Sequence, residues 1–105
     1  MNQFVKEYLE KKVIVVCRGI AEEEIVNAAK ALYDGGICFM EVPFDQSAPD
    51  TFEETGRKIK AVKEALGGRM HVGAGTVITM EQFEIAKNAG AEVIVSPTME
   101  EDIIV

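Results

Sequence analysis

The feature that most constrains the fold is a regular alternation of short apolar runs with longer helical segments. The apolar runs are short and mostly β-branched, as in strands that are buried on both faces, and they occupy residues 13–17, 37–42, 70–73 and 93–95. The third run is the weakest of them, although it leads into a glycine-containing segment at residues 74–77. Strands that alternate with helices pair in parallel through right-handed crossovers. The sequence therefore predicts an α/β domain of parallel type with about four βα units.

The helical segments are delimited by capping residues and glycines. Acidic residues at 22–24 open the first long helix and Gly35 with Gly36 ends it, while the second spans about residues 50–66 and ends at Gly67. Thr79 and Gln82 have the spacing of a capping box, so a further helix follows them and closes near residue 90. A short helix at about residues 3–10 is also predicted before the first strand.

The last residues predict one more helix. Thr98 and Glu101 form a second capping-box pattern, which places a helix start near Met99. The chain then ends on three apolar residues at 103–105, within about two turns of that start. We therefore expect residues 1–105 to form a single domain that is only part of a larger fold.

Charge and hydropathy exclude some classes of partner. The net charge is −7, which argues against nucleic acid or an anionic membrane surface as the main partner. The densest basic group is expected to be a solvated helix face; it consists of Arg57, Lys58, Lys60 and Lys63. No apolar run approaches the length of a membrane span, and the first residues do not resemble a signal peptide.

The two cysteines, Cys17 and Cys38, lie inside apolar runs and lack metal-site spacing. They are expected to be buried, reduced thiols, and a cytoplasmic location follows as the expectation.

Polar or glycine-rich residues follow each predicted strand. Because ligands bind at the carboxyl ends of parallel strands, these residues are expected to meet at one rim. They are Arg18, Glu41, the segment 73–76, and Ser96 with Pro97. Arg18 suits a phosphate or carboxylate, or else simply lies on the surface at a strand end.

Glu41 is the strongest single signal for chemistry. A carboxylate on an apolar strand is costly to bury without a role or a partner, and burial would raise its pKa towards the range useful in acid/base catalysis. The alternative is a structurally paired glutamate. Gly75 lets the backbone approach a ligand closely and Thr76 offers a hydroxyl, whereas His71 has no ligand set beside it in the sequence. No metal site is predicted.

These segments, in their order and spacing, resemble the aldolases of the 2-keto-3-deoxy-6-phosphogluconate (KDPG) and 2-keto-4-hydroxyglutarate (KHG) family. The most specific parts are Gly-Ala-Gly-Thr-Val at 73–77 and Gly-Ala-Glu-Val-Ile-Val-Ser-Pro at 90–97. Further matching segments lie at 15–18, 31–37 and 40–42. The resemblance covers nearly the whole chain and implies the first half of a (β/α)₈ barrel.

The resemblance also implies a chemistry. Family members are class I aldolases, in which a lysine forms a Schiff base with a 2-keto acid and a glutamate moves protons during cleavage to pyruvate and an aldehyde. Glu41 matches the catalytic glutamate, and the matching substrate-binding positions are Arg18, Gly75, Thr76 and Pro97. No cofactor is implied, because the iminium is the electron sink. Family members are usually trimers, and we expect this chain to form a homo-oligomer.

Two departures from the family pattern bear on function. After Glu41 and Val42 the family commonly has threonine and then a basic residue, whereas here residues 43–46 are Pro-Phe-Asp-Gln. The family's Schiff-base lysine lies on the sixth strand and its phosphate-binding loops near the seventh and eighth. We expect that no lysine of this chain replaces the first of these.

Three hypotheses follow from the sequence. The chain is the N-terminal half of an aldolase, inactive by itself; or it is a truncated or engineered half-barrel that self-associates as a scaffold through open sheet edges; or it is another phosphate-binding barrel that shares only the scaffold.

Overall fold

The computed structural model describes residues 14–95 and 103–104. Within these, a single sheet has the strand order β1-β2-β3-β4-β5, in the same order as along the chain. The strands are β1 (Val15–Val16), β2 (Phe39–Pro43), β3 (His71–Gly75), β4 (Val93–Ile94) and β5 (Ile103–Ile104). The first four pair in parallel, which confirms the predicted α/β class.

Three helices cross over between the parallel strands. They are α1 (Ile25–Asp34), α2 (Phe52–Leu66) and α3 (Met80–Ala89), and short 3₁₀ turns at Glu22–Glu24 and Pro49–Thr51 precede the first two. The Thr79–Gln82 capping box is present with both of its hydrogen bonds, and Gly90 ends α3 in the left-handed conformation. The predicted helix boundaries are therefore confirmed to within a few residues.

The third strand is stronger than its sequence suggested. All five residues of β3 are buried, and β3 pairs with β2 over five residues, more than the two-residue ladders on either side. The small residues at 73–75 weaken the apolar signal but let β3 lie in the middle of the sheet. The strand predicted at 70–73 is therefore confirmed and extends to Gly75, and its weak apolar signal has a physical reason: burial there comes from position in the sheet and not from side-chain bulk.

The two faces of the sheet are different in kind. Alternate residues of the central strands pack against the helices in the main core, among them Met40, Val42, Val72 and Ala74. The other face carries a smaller cluster of Phe39 and Val93, with Ile14, Cys38 and Val95 packed against it. This alternation follows from the period of two in a strand, and it directs Glu41 to the second face.

The apolar stripe predicted on α2 is confirmed as part of the main core. Phe52, Ile59, Val62 and Leu66 are all buried in it. Gly56 lies where α2 approaches α3 closely, since a β-carbon placed there would be 2.7 Å from the Ile85 side chain.

Several terminal predictions have a different outcome. The helix predicted at residues 3–10 and the start of the helix near Met99 lie outside the described residues. Ile103–Ile104, expected to be helical, instead pairs antiparallel with β4. Their β-branched side chains favour strand conformation, and the edge of β4 offers backbone groups for pairing.

The basic residues of α2 do not form one solvated face. Arg57 pairs with Glu22 from the turn before α1, and Lys60 pairs on the surface with Glu64. Lys58 is only 16% exposed and its ammonium lies 3.9 Å from Glu54, while Lys63 reaches Glu92. The prediction was wrong for Lys58 and Lys63. Successive residues of the fifteen-residue helix lie on different sides of it, so these two lysines face neighbouring loops.

Candidate active site

Two groups of predicted site residues lie near the carboxyl ends of the strands. Arg18 and Thr76 line one cleft, and Glu41 and Gly75 contact each other on neighbouring strands. Gly75 pairs with Pro43, two residues beyond Glu41 on β2. Pro97 lies outside the described residues, so its predicted place at the rim stays a prediction.

Glu41 packs directly against the backbone of Gly75. A β-carbon at position 75 would lie 1.8 Å from Glu41 Oε1 and 2.6 Å from its carboxyl carbon. Any residue other than glycine would therefore occupy the place of the carboxyl group. The expected close backbone approach at Gly75 is thus made to a side chain of the same chain.

The surroundings of Glu41 are largely apolar. The side chain is half-buried and borders a small recess lined by Ile14, Gly73, Val93 and Val95. Glu41 also hydrogen-bonds through its backbone carbonyl, which accepts from the Cys17 N–H at 2.9 Å. A carboxyl group that borders an apolar recess from the third residue of a five-residue parallel strand can exchange a proton with a ligand bound beside it.

The cleft that contains Arg18 and Thr76 has a volume of about 490 Å³. It lies between the loop after β1, the loop after β2 and the first turns of α2. Its polar and charged lining side chains are Arg18, Asp45, Gln46, Thr51, Glu54, Thr55, Lys58 and Thr76. Two cations and two carboxylates therefore line the same cleft, and a ligand with both donor and acceptor groups would fit its chemistry.

Lys58 is a cleft residue that sequence reasoning missed. It was assigned to a solvated helix face because its neighbours Arg57 and Lys60 are charged, yet its side chain borders the cleft together with Arg18 and Thr76. The spacing of Lys58 one residue before the buried Ile59 was the available signal, since it places the lysine at the margin of the apolar stripe.

Asp45 occupies the loop in which the family pattern has a basic residue. Its carboxylate accepts hydrogen bonds from the Ser47 hydroxyl at 2.6 Å and from the Ser47 N–H at 3.0 Å. These bonds from Ser47 hold the pKa of the Asp45 carboxyl below its usual value. The cleft therefore keeps a negative charge at this position through the neutral pH range.

A second polar cluster lies at the opposite, amino-terminal edge of the strands. His71 Nδ1 is 2.6 Å from Glu92 Oε2, and the Lys63 ammonium donates to Glu92 Oε1 at 2.6 Å. The His71 ring also stacks on Phe39. No acidic partner for His71 could be seen in the sequence, because Glu92 is 21 residues away along the chain. The register of β3 and β4 brings the two side chains together. Among the described residues, no three potential metal ligands are grouped.

This cluster makes a prediction about stability. Replacing Glu92 by alanine is expected to cost about 1–3 kcal/mol, because it removes the acceptor for Lys63 and the partner of the buried His71. Glu64→Ala is the matched control: Glu64 and Lys60 are both about two-thirds exposed and 3.9 Å apart, so the expected change is below about 0.5 kcal/mol. Denaturant unfolding of both variants measures the difference, and equal costs would contradict a structural role for the cluster.

The cysteines differ from each other. Cys17 is buried, and burial raises the pKa of its thiol, whereas Cys38 is half-buried. Neither of them forms a disulfide. The expectation of two buried thiols was correct for Cys17 and wrong for Cys38, which lies just before β2 begins. In the described part of the chain, no helix is long and apolar enough to cross a membrane.

Comparison with known proteins identifies the family of this chain. Residues 5–105 match the sequence profile of the aldolase family described as KDPG and KHG aldolase. A probable 2-dehydro-3-deoxy-6-phosphogalactonate aldolase from Rhizobium meliloti is 34% identical over 96 residues, which are 91% of this chain and 42% of that protein. A 2-dehydro-3-deoxy-phosphogluconate aldolase from Treponema pallidum is 38% identical over 92 residues, 87% of this chain and 40% of that protein.

Solved structures agree with this similarity. KDPG aldolase from Legionella pneumophila, with pyruvate captured as a covalent carbinolamine intermediate, matches with a TM-score of 0.68 and 28% identity over 84% of this chain and 39% of that chain. The Zymomonas mobilis KDPG aldolase with 3-phosphoglycerate matches with a TM-score of 0.66 and 29% identity, over 82% of this chain and 37% of that chain.

The chain spans about two-fifths of the length of the curated relatives that it matches. Its four parallel strands with their helices correspond to a half of the barrel-type α/β fold of those relatives. The order of landmarks, the parallel sheet and the profile match over most of the chain lead to one conclusion: this chain belongs to the KDPG and KHG aldolase family.

Proposed function

We propose that residues 1–105 form one partial-barrel domain that supplies the acid/base part of a class I aldolase site. The observation that carries this proposal is the contact of Glu41 with Gly75, since the absent side chain of a glycine makes room for one carboxyl group. The family resemblance implies the same role for Glu41. The substrate class would be a 2-keto acid such as pyruvate, joined to or cleaved from an aldehyde.

In this proposal each rim residue has a separate task. A lysine amine condenses with the keto group and water leaves; the resulting iminium accepts the electron pair of the bond between the substrate's α- and β-carbons when that bond breaks, which gives an enamine. Glu41 takes the proton from the substrate hydroxyl that becomes the aldehyde, and returns a proton to the enamine carbon. Arg18 and Thr76 would bind the polar groups of the substrate from their shared cleft, with Gly75 and Pro97 shaping the rim. The reaction as proposed needs no metal or organic cofactor.

We further propose that these 105 residues do not contain the Schiff-base lysine. Within the described part of the chain, no lysine lies on a strand: they lie on helices, and Lys58 is the one that borders the cleft. The amine would then come from further barrel strands of a longer chain. Any activity of the isolated chain is expected to be absent.

The test is to trap the Schiff base. The purified chain is incubated with pyruvate and borohydride and then weighed, with Lys58→Arg as the matched variant and a full-length family member as the positive control. We expect no adduct on this chain. An adduct that Lys58→Arg abolishes would overturn the missing-amine proposal and identify Lys58 as the nucleophile.

A second candidate is a self-associating scaffold without catalysis. It is favoured by one observation: Val16, on the edge strand β1, is 45% exposed although it is a large apolar residue. Edge strands with exposed apolar side chains pair readily with other strands. Both candidates predict a homo-oligomer. Sedimentation of the unaltered chain and of Val16→Lys tests this, and the lysine is expected to weaken self-association through β1. A monomeric unaltered chain would contradict the scaffold.

A further inference from the structure

Thr76 has an unusual backbone conformation for its residue type. Its φ is +56°, and it is the only residue other than glycine with a positive φ among the described residues. A β-branched side chain disfavours this left-handed region sterically. Such a conformation persists only where surrounding contacts hold it, and it is commonly found at sites that bind ligands.

One of the contacts that hold Thr76 comes from the loop after the neighbouring strand. The peptides on either side of Thr76 also have backbone bonds: the Gly75 carbonyl accepts from the Phe44 N–H at 2.9 Å, and the Val77 N–H donates to the Val95 carbonyl at 3.0 Å. Gln46 Nε2 donates a hydrogen bond of 2.6 Å to the Thr76 carbonyl, across 30 residues of sequence. This bond to the carbonyl and the Val77 N–H bond to Val95 together fix the peptide that follows Thr76, and the Gln46 bond is the one made by a side chain. It also joins the loop after β2 to the loop after β3, so the two sides of the cleft are held at a fixed separation.

Gln46 is itself held by a buried side chain. Gln82 Nε2 donates to Gln46 Oε1 at 2.8 Å, and Gln82 is completely buried. The other end of the Gln82 amide accepts from the N–H groups of Ile78 and Thr79 at the start of α3. The hydrogen-bond relay Gln82–Gln46–Thr76 is therefore anchored on a helix end and uses both ends of each glutamine side chain.

We propose that Gln46 is a positioning residue, which holds Thr76 in the left-handed conformation so that the Thr76 hydroxyl is presented to a carboxylate ligand in the cleft. Thr76 lines the cleft together with Arg18, and a hydroxyl beside a guanidinium suits the carboxylate of a small acid. This proposal rests on the proposed function for the identity of the ligand, a 2-keto acid, but not for the conformation of Thr76.

Substitutions of nearly equal size separate the links of the relay. Gln46→Glu keeps an oxygen that can accept from Gln82 and loses the donor to Thr76. Gln46→Met is neutral and loses both bonds, so it avoids placing a new negative charge beside an acidic ligand. Ser47→Ala is the control in the same loop, because among the described residues the Ser47 hydroxyl bonds to Asp45 and to no member of the relay.

The first measurement is the backbone conformation of Thr76 by NMR, from its three-bond amide coupling and its Cα and Cβ shifts, on each folded variant. We expect both Gln46 variants to move Thr76 out of the left-handed region and Ser47→Ala to leave it unchanged. Thr76 signals that keep their left-handed values in both Gln46 variants would overturn the proposal.

The second measurement is a pyruvate titration that follows the Thr76 amide. Gln46→Met is expected to weaken pyruvate binding roughly three- to tenfold, as for one lost hydrogen bond, and Ser47→Ala is expected not to. Unchanged affinity in a Gln46→Met variant whose Thr76 has moved would also overturn the proposal. If the unaltered chain binds no pyruvate, the proposed function fails, and the coupling data still decide whether Gln46 holds Thr76.

Discussion

Gly75→Ala is expected to displace the Glu41 carboxyl group while leaving the fold intact. The added β-carbon would lie 1.8 Å from Glu41 Oε1, so one of the two must move. The carboxyl group is the end of a flexible side chain and will move first, at a stability cost of about 1–3 kcal/mol. A displacement of about 1 Å can reduce a catalysed rate about 100-fold. In a longer chain that supplies the lysine, the exchange of pyruvate methyl protons should fall by this factor.

Two variants test the cause of that effect. Gly35→Ala is the control, because its β-carbon would meet only ordinary contacts of 3.5 and 3.6 Å at the end of α1. In a Glu41→Ala background the cost of Gly75→Ala should largely disappear, since the obstructing atoms are gone. A crystal structure locates the carboxyl group directly. An equal destabilisation in both backgrounds would show that another contact of Gly75 is responsible.

Phe44→Ala is expected to have the largest effect on stability. Phe44 is 2% exposed, lies in the main core just after β2, and meets Phe52 of α2 edge-to-face at 5.6 Å between ring centroids. Truncating a buried phenylalanine to alanine costs about 3–5 kcal/mol, from lost burial and from the cavity that remains. For a domain of this size that corresponds to a fall in melting temperature of about 10 °C or more.

The design allows for a variant that fails to fold. Phe44→Leu fills more of the space and should show a smaller loss in the same direction, while Met80→Ala removes a side chain that is 72% exposed and should change stability by less than about 0.5 kcal/mol. Thermal and denaturant unfolding give the comparison. A loss below about 1 kcal/mol for Phe44→Ala would mean that the rim of the domain is packed independently of its core.

The elements could be predicted from the sequence because local signals agree with the fold. The Thr79–Gln82 capping box needs only neighbouring residues, and the stripe from Phe52 to Leu66 has the period of a helix. The class of the fold follows from their alternation with short apolar runs. The helices and strands depend on contacts within a few residues or on a simple period, and both can be recognised in one amino-acid sequence.

What could not be predicted depends on pairing across the sheet. Glu92 is 21 residues from His71, and Gln46 is 36 residues from Gln82, so neither hydrogen bond leaves a local pattern. The place of Lys58 in the cleft depends on how α2 is rotated against the loop after β2. The capping-box pattern of Thr98 and Glu101 predicts a helix over Ile103–Ile104, yet these two residues pair with β4. Pairing with a neighbouring strand outweighs the local helix signal here.

The alternation along β2 and β3 has a consequence for redesign. Met40, Val42 and Ala74 face the helices, whereas Glu41 and Gly75, their immediate neighbours in sequence, face the other way. Laboratory evolution can therefore treat adjacent codons as two separate libraries, one that changes the helix-facing core and one that changes the face carrying Glu41. Changes on the face carrying Glu41 can be sought in the second library while the residues that stabilise the core stay fixed.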